Sequence, residues 1–114
     1  MNQTLNISLE DKTENYQIVK FEGDFDKAGY SDIKDSLKAT VDAFKGKYLI
    51  FDFSKLKFIN SEGIGYLMEL NGHLVKGDKK LAILKANAHV KDVFSAIGLP
   101  EIMPVCDTIE ACLK

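Results

Sequence analysis

The stretch that most constrains the fold is Tyr48–Phe53, which reads Tyr-Leu-Ile-Phe-Asp-Phe and contains one charged side chain. Such a strand is apolar on both faces, which is typical of central, parallel strands in sheets that are covered on both sides. Parallel neighbours need a long crossover connection, usually a helix, instead of a tight hairpin. The stretch therefore favours an α/β fold in which strands alternate with helices.

The flanking sequence supplies the other elements of such a fold. Leu5, Ile7 and Leu9 alternate with polar residues, and Tyr16–Glu22 follows a polar turn, so the first two strands are expected to form a hairpin. Apolar spacing then predicts helices over 30–44, 64–75 and 90–97, strands over 81–84 and 102–105, and a short C-terminal helix. We expect one domain over residues 1–114, in the order β-β-α-β-α-β-α-β-α, with a mixed sheet, parallel central strands and about four helices.

Local signals predict where turns and helix ends lie. The run Gly23-Asp24-Phe25-Asp26 breaks the strand pattern and predicts a loop. Asp26 or Ser31 is expected to cap the first helix, and Gly46 to end it. Asp107 and Glu110 have the spacing of a capping box. The second helix is expected to carry five apolar residues on one side: Ile64, Leu67, Met68, Leu74 and Val75.

Composition narrows the class of partner. All 15 basic residues are lysines and the net charge is −2, which argues against nucleic acid, since its recognition favours arginine. No apolar run reaches the roughly 18 residues that span a bilayer, and the N-terminus lacks a signal-peptide core. We therefore expect a cytoplasmic protein without a membrane span. Cys106 and Cys112 lack redox or zinc spacing and are expected to be reduced, partly buried thiols.

The residues do not form a recognisable catalytic set. Ser61 lacks the upstream glycine of a nucleophile elbow, and neither His73 nor His89 is directed at it by the sequence. The glycines at 63 and 65 lack the third glycine of a dinucleotide fingerprint. Asp24 and Asp26 lie two apart with no further ligands nearby, so a solvated loop is favoured over a cation site. We expect neither enzymatic activity nor a cofactor or metal.

The run Phe58-Ile59-Asn60-Ser61-Glu62-Gly63-Ile64-Gly65 places a serine where a helix begins, just beyond the apolar strand. Two interpretations of Ser61 stay open: a plain N-cap residue, or a hydroxyl that carries a phosphate where the helix dipole favours negative charge. The glycines also have two interpretations, namely close packing of the helix on the sheet, or a backbone left open to another protein.

Several motifs from about Tyr16 to Leu113 together resemble the STAS domain of bacterial anti-sigma factor antagonists. The run at 23–26 looks like the family's Gly-Glu-Leu-Asp turn, and Ile50–Ser54 like its Asp-Leu-Ser strand end. The run at 58–65 looks like its Phe-Met-Asp-Ser-Ser/Thr-Gly-Leu-Gly segment, and Val93–Leu99 like its Leu-Phe-x-x-x-Gly-Leu helix end. The shared order and spacing agree with the predicted order of elements.

The resemblance implies a partner-switching role in transcription control. In this family an anti-sigma factor that is also a serine kinase phosphorylates the serine that corresponds to Ser61. The unphosphorylated antagonist binds this kinase and frees the sigma factor. The phosphorylated form is released from the kinase, and a serine phosphatase removes the phosphate and restores the unphosphorylated form. The resemblance implies a docking surface made of eight residues: Asp24, Asp26, Asn60, Glu62, Gly63, Ile64, Gly65 and Tyr66.

Two positions depart from the family pattern. Asn60 stands where the family has Asp, and Glu62 stands where it has Ser or Thr. The first change removes a negative charge and the second adds one beside the phosphorylation site. The alternative function is therefore a STAS binding module that is not phosphorylated, in a signalling scaffold or a transport accessory complex.

Overall fold

The computed structural model describes residues 4–113, and its centre is one five-stranded mixed sheet. The strands lie in chain order: β1 (Leu5–Lys12), β2 (Tyr16–Phe25), β3 (Tyr48–Ile59), β4 (Lys80–Leu84) and β5 (Val105–Cys106). β1 pairs with β2 in antiparallel orientation, and all later pairs are parallel. The predicted hairpin, the parallel centre and the order of elements are confirmed.

Three long helices cover one face of the sheet: α1 (Lys27–Ala43), α2 (Ser61–Lys76) and α3 (Ala88–Ala96). Their buried residues pack with Phe21, Phe51 and Phe53 in one apolar core. They share a face because each right-handed crossover moves one strand further in the same direction. The short helix α4 (Ile109–Cys112) packs on the opposite face, in a smaller cluster with Ile18 and Ile50.

The sequence predicts that the strand Tyr48–Phe53 is covered on both faces of the sheet. This is true for only part of β3. Ile50 is buried on the α4 side of the sheet, but Asp52 further along is only half-buried and Ser54 is exposed. The reason is the length of α4, which spans four residues and is too short to cover a strand of twelve. The remaining part of that face is polar.

The predicted loop at Gly23–Asp26 is wrong, since β2 continues to Phe25. Gly23 has φ +119, and the pairing of β2 with β3 shifts at this point, so the strand absorbs the glycine as an irregularity. A side chain at Gly23 would also collide with the carbonyl oxygen of Thr4. Glycine here permits a bend within a strand.

Helix ends follow the sequence signals in part. Asp26 caps α1 by accepting a hydrogen bond from the Gly29 N–H at 2.8 Å, as predicted. The prediction that Gly46 ends this helix is wrong, because α1 ends at Ala43 with Phe44 as its C-cap. Thr108, instead of Asp107, caps α4 by accepting from the Ala111 N–H at 3.1 Å.

The expectation of free thiols is wrong, because Cys106 and Cys112 form a disulfide with 5.6 Å between their Cα atoms. Cys106 ends β5 and Cys112 ends α4, and the turn between them folds the helix back onto the strand. Both sulfurs lie in the small core beneath α4. This proximity depends on tertiary packing that a six-residue separation does not reveal.

Candidate functional site

Ser61 is the first residue of α2 and is exposed. The N-cap is its neighbour Asn60, whose side-chain oxygen accepts a hydrogen bond from the Gly63 N–H at 3.0 Å. The interpretation of Ser61 as a plain N-cap is therefore wrong. No side-chain hydrogen bond within residues 4–113 uses the Ser61 hydroxyl, which leaves it accessible to solvent at a helix N-terminus.

The carboxyl ends of β2 and β3 bring two acidic residues close to Asn60 and Ser61. Asp24 lies in β2, and Asp26 follows the last residue of that strand. Asp24 is paired with Phe58, and Phe25 with Ile59, in the parallel register. The Asn60 N–H donates to the carbonyl oxygen of Phe25 at 3.3 Å. Asp26 follows directly as the cap of α1. The structure thus gathers Asp24, Asp26 and the start of α2 at one edge of the sheet.

The negative charges at this edge have different roles. The Asp26 carboxylate satisfies the first turn of α1 through Gly29, and Glu62 lies in the first turn of α2. Both positions suit the positive end of a helix dipole. Asn60 caps α2 in the same way as Asp26 caps α1, but its side chain carries no charge. The start of α2 therefore has a free hydroxyl, a neutral cap and one exposed carboxylate.

The two glycines of the serine segment have opposite roles. A side chain at Gly63 would run into the carbonyl oxygen of Phe25 and approach the Ile59 side chain at 2.9 Å. A side chain at Gly65 would meet nothing within 4 Å. Close packing therefore explains Gly63, and an open backbone describes Gly65.

Gly65 belongs to an exposed, uncharged face of α2, which we call the α2 outer face. Its members are spaced by three or four residues along the helix: Ser61, Gly65, Met68, Gly72 and Val75. Met68 is 37% exposed and Val75 is 58% exposed, so the prediction that both share a side with buried Leu67 and Leu74 is wrong. Sequence reasoning missed Met68, Gly72 and Val75 as surface residues.

The signal that reveals the α2 outer face is the spacing of its glycines. Gly65 and Gly72 are seven residues apart, two turns of helix, and a side chain at Gly72 would also meet nothing within 4 Å. Phe58, the second-last residue of β3, is a further apolar side chain that is 41% exposed. Exposed apolar side chains around small residues are typical of protein-binding surfaces.

Ile64 and Tyr66, predicted to bind a partner, are only partly accessible because both pack against the main core. The Tyr66 ring stacks on Tyr30 of α1 with 3.7 Å between centroids. Burial raises the pKa of the Tyr30 hydroxyl, and the nearby Glu69 and Tyr66 raise it further. Tyr66 therefore points toward the gap between α1 and α2.

The described residues do not assemble a metal centre. Among residues 4–113 there is no group of three or more His, Cys, Asp and Glu side chains placed to hold a metal ion. His73 and His89 are exposed in α2 and α3, far along the chain from the start of α2. No helix among these residues is long and apolar enough to cross a membrane.

Known proteins identify the family. The family model of the STAS domain matches residues 8–112. The chain belongs to the STAS domain family. This STAS chain is 28% identical over 102 residues to the putative anti-sigma factor antagonist BtrV of Bordetella bronchiseptica, a match that covers 89% of this chain and 86% of BtrV.

Solved structures share the fold of this STAS domain. An anti-sigma factor antagonist from Mycobacterium paratuberculosis superimposes with a TM-score of 0.82 at 18% identity, covering 99% of this chain and 94% of its own. The unphosphorylated anti-sigma factor antagonist SpoIIAA gives 0.75 at 21% identity, covering 95% and 93%. Its phosphorylated form gives 0.69 at 20% identity, covering 95% and 96%.

Proposed function

We propose that this STAS domain is a non-enzymatic anti-sigma factor antagonist that works by partner switching. In its unphosphorylated form it binds an anti-sigma factor with serine kinase activity through the α2 outer face and the edge of Asp24 and Asp26. Phosphorylation of Ser61 releases that partner. A serine phosphatase reverses the modification in the cytoplasm and restores binding.

The observation that carries this proposal is the division of roles between Asn60 and Ser61. Asn60 meets the capping requirement of α2, so the Ser61 hydroxyl is not needed to hold the helix. A kinase can modify this hydroxyl without breaking a hydrogen bond of the fold. The N-terminal position also supports a phosphate, because the helix dipole stabilises negative charge there by about 0.3–1 kcal/mol.

The α2 outer face supports the docking part of the proposal. Gly65 and Gly72 let a partner approach the helix backbone, and Met68 and Val75 offer apolar area on the same face. Methionine is an adaptable contact for a partner surface. The face starts at Ser61, so a phosphate there would lie at the margin of the interface.

Charge explains how phosphorylation would release the partner. A phosphate adds about −1.5 to −2 charge units at neutral pH, next to Glu62 and close to the edge that carries Asp24 and Asp26. A partner that packs on the α2 outer face removes water from the phosphate, which costs free energy. The uncharged residues of this face supply no counter-charge to offset that cost. Binding is therefore lost while the fold is retained.

Relatives support the class of function. BtrV is named a putative anti-sigma factor antagonist, and SpoIIAA has been solved in both unphosphorylated and phosphorylated forms. The two departures of this chain shape its recognition by a kinase. Asn60 keeps the cap without charge, and Glu62 keeps a carboxylate within one residue of the target hydroxyl.

The phosphorylation step is tested by incubating the protein with ATP and each candidate serine kinase of the host, then measuring intact mass. The proposal predicts addition of one phosphate to the wild type and to Ser54→Ala, a control that removes another exposed serine, in the middle of β3. Ser61→Ala should remain unmodified. A wild type that stays unmodified with every kinase would favour the binding module that works without phosphorylation.

A further inference from the structure

The only two cysteines of the chain, Cys106 and Cys112, form the disulfide that joins α4 to the sheet. They are two of the six buried members of the small core beneath α4. The main core, beneath the three long helices, contains neither of them. Breaking this bond therefore acts on the α4 face of the sheet and leaves the core that supports α2 in place.

The two ends of this disulfide are anchored unequally. Cys106 lies in β5, where its carbonyl oxygen accepts a hydrogen bond from the Lys85 N–H at 2.8 Å. The helix that carries Cys112 has four residues, far fewer than the roughly 12–15 that an isolated helix needs in water. Its other contacts are the Thr108 cap and two partly buried apolar side chains. Without the disulfide, α4 is held weakly while Cys106 stays in the sheet.

Two features of the site favour reduction of this bond without unfolding of the domain. The bond closes a loop with a sequence separation of six residues, and a short loop contributes less to the stability of a disulfide than a long one. The reduced state also has a hydrogen-bond acceptor, because the Ile83 carbonyl oxygen lies 3.2 Å from the Cys106 sulfur. The Cys106 thiol can donate to this oxygen, so it is not left unpaired in the core.

We propose that Cys106 and Cys112 form a reversible redox site that fixes α4 when oxidised and releases it when reduced. The site responds to a low-molecular-weight thiol and its disulfide, such as glutathione. The inference rests on the cytoplasmic location proposed above, because thiols in the cytoplasm reduce ordinary disulfides and those that do form there are mostly transient or redox-sensing. It does not involve Ser61, which lies at the start of α2 on the other face of the sheet.

Reduction proceeds by thiol–disulfide exchange. A glutathione thiolate attacks the Cys106 sulfur, since Cys106 is 8% exposed and Cys112 is fully buried. The bond between the two cysteines breaks, Cys112 leaves as a thiolate with α4, and a mixed disulfide remains on Cys106. A second glutathione thiolate attacks the glutathione sulfur of this mixed disulfide and frees Cys106. The two cysteines gain two electrons and, from solvent, two protons, and two glutathione molecules are oxidised to one disulfide.

The test equilibrates the full chain, without denaturant, in buffers of increasing ratio of glutathione to glutathione disulfide. Thiol alkylation after acid quenching, followed by intact mass, gives the reduced fraction at each ratio. This fraction should rise to completion and fall again when the ratio is reversed. Ser61→Ala should titrate like the wild type, so this site and the phosphorylation of Ser61 succeed or fail separately.

Amide hydrogen exchange of the oxidised and reduced wild type locates the structural change. The Ala111 and Cys112 N–H groups donate to Thr108, and their exchange should rise roughly tenfold or more on reduction. The Val90 N–H, which donates to Asn87 at the start of α3, is the control and should be unchanged.

Four results would overturn the proposal. Two free thiols at every ratio would mean that the disulfide does not form, and reduction only after unfolding in urea would make it a permanent structural bond. Equal exchange of the α4 amides in both states would show that the bond does not hold this helix. Faster exchange throughout α2 and α3 on reduction would show that the whole domain opens instead of α4.

Discussion

Asn60 accepts a hydrogen bond from the Gly63 N–H at 3.0 Å, and this contact holds the start of α2. It spans Ser61 and Glu62 without using the serine hydroxyl. The helix is therefore capped by one residue while the next residue is left for modification.

Asn60→Ala should lower the free energy of unfolding by about 1 kcal/mol, because the Gly63 N–H loses its acceptor. Asn60→Asp should keep the wild-type value or exceed it slightly, since aspartate caps equally well and suits the helix dipole. Ser61→Ala should change little. Urea unfolding of the three variants measures these differences, and a larger loss for Ser61→Ala than for Asn60→Ala would assign the cap to the serine.

The two glycines near Ser61 should respond in opposite directions to alanine. Gly63→Ala should destabilise by about 1–3 kcal/mol, because its methyl group would force the helix away from the Phe25 carbonyl. Gly65→Ala should stabilise by about 0.5–1 kcal/mol, because the site is open and alanine favours helix. Thermal unfolding compares the pair directly. Destabilisation by both substitutions would contradict the assignment of Gly65 to an exposed face.

The hydroxyl of Tyr30 should titrate above the ordinary tyrosine pKa, since burial, Glu69 and Tyr66 all disfavour its phenolate. The neutral form is then favoured by the fold, so its contribution to stability is present below the unfolded pKa near 10 and is lost as pH rises through the higher folded pKa. Glu69→Gln should lower this pKa. Ultraviolet titration of the phenolate, with Tyr30→Phe to assign the signal, measures both.

The raised pKa of Tyr30 also makes the free energy of unfolding depend on pH. The wild type should lose stability more steeply than Tyr30→Phe as pH rises past 10, because only the wild type carries the Tyr30 phenol, whose folded pKa lies above its unfolded pKa. Lysine titration is common to both proteins and cancels in the difference. Parallel pH dependences would mean that Tyr30 is not shielded in solution.

The order of elements was predictable from the sequence because each strand and helix carries its own period of apolar residues. The run Tyr48–Phe53 indicated a central parallel strand, and the pairing with β2 and β4 agrees. The extent of β2 was not predictable, since Gly23 usually interrupts a strand and is here absorbed as a bend. Its left-handed φ of +119 becomes apparent only in three dimensions.

The site was predictable in position but not in detail. Asn60 and Ser61 are both good N-cap residues, so local sequence cannot decide which one caps α2. The face of α2 that contacts the sheet was misjudged, because two apolar residues, Met68 and Val75, lie on its exposed side. The disulfide of Cys106 and Cys112 was missed because it depends on how α4 folds back on β5.

A larger side chain on the α2 outer face should weaken partner binding without lowering stability. Gly65→Gln should fold at least as well as the wild type, since the position is open, yet lose binding to the anti-sigma factor because its side chain covers the exposed backbone. Lys55→Gln changes an exposed residue of β3 away from this face and is the control. Pull-down of the partner with both purified variants measures the effect, and equal recovery would exclude this face from the interface.

The central claim is tested most directly by the dissociation constant of the anti-sigma factor for the unphosphorylated protein and for the protein phosphorylated at Ser61. Calorimetry gives both values, and circular dichroism shows whether the fold is unchanged. We predict a rise in Kd of about a hundredfold or more, equivalent to roughly 2.7 kcal/mol, with an unaltered spectrum. Equal dissociation constants for two folded forms would contradict release by phosphorylation.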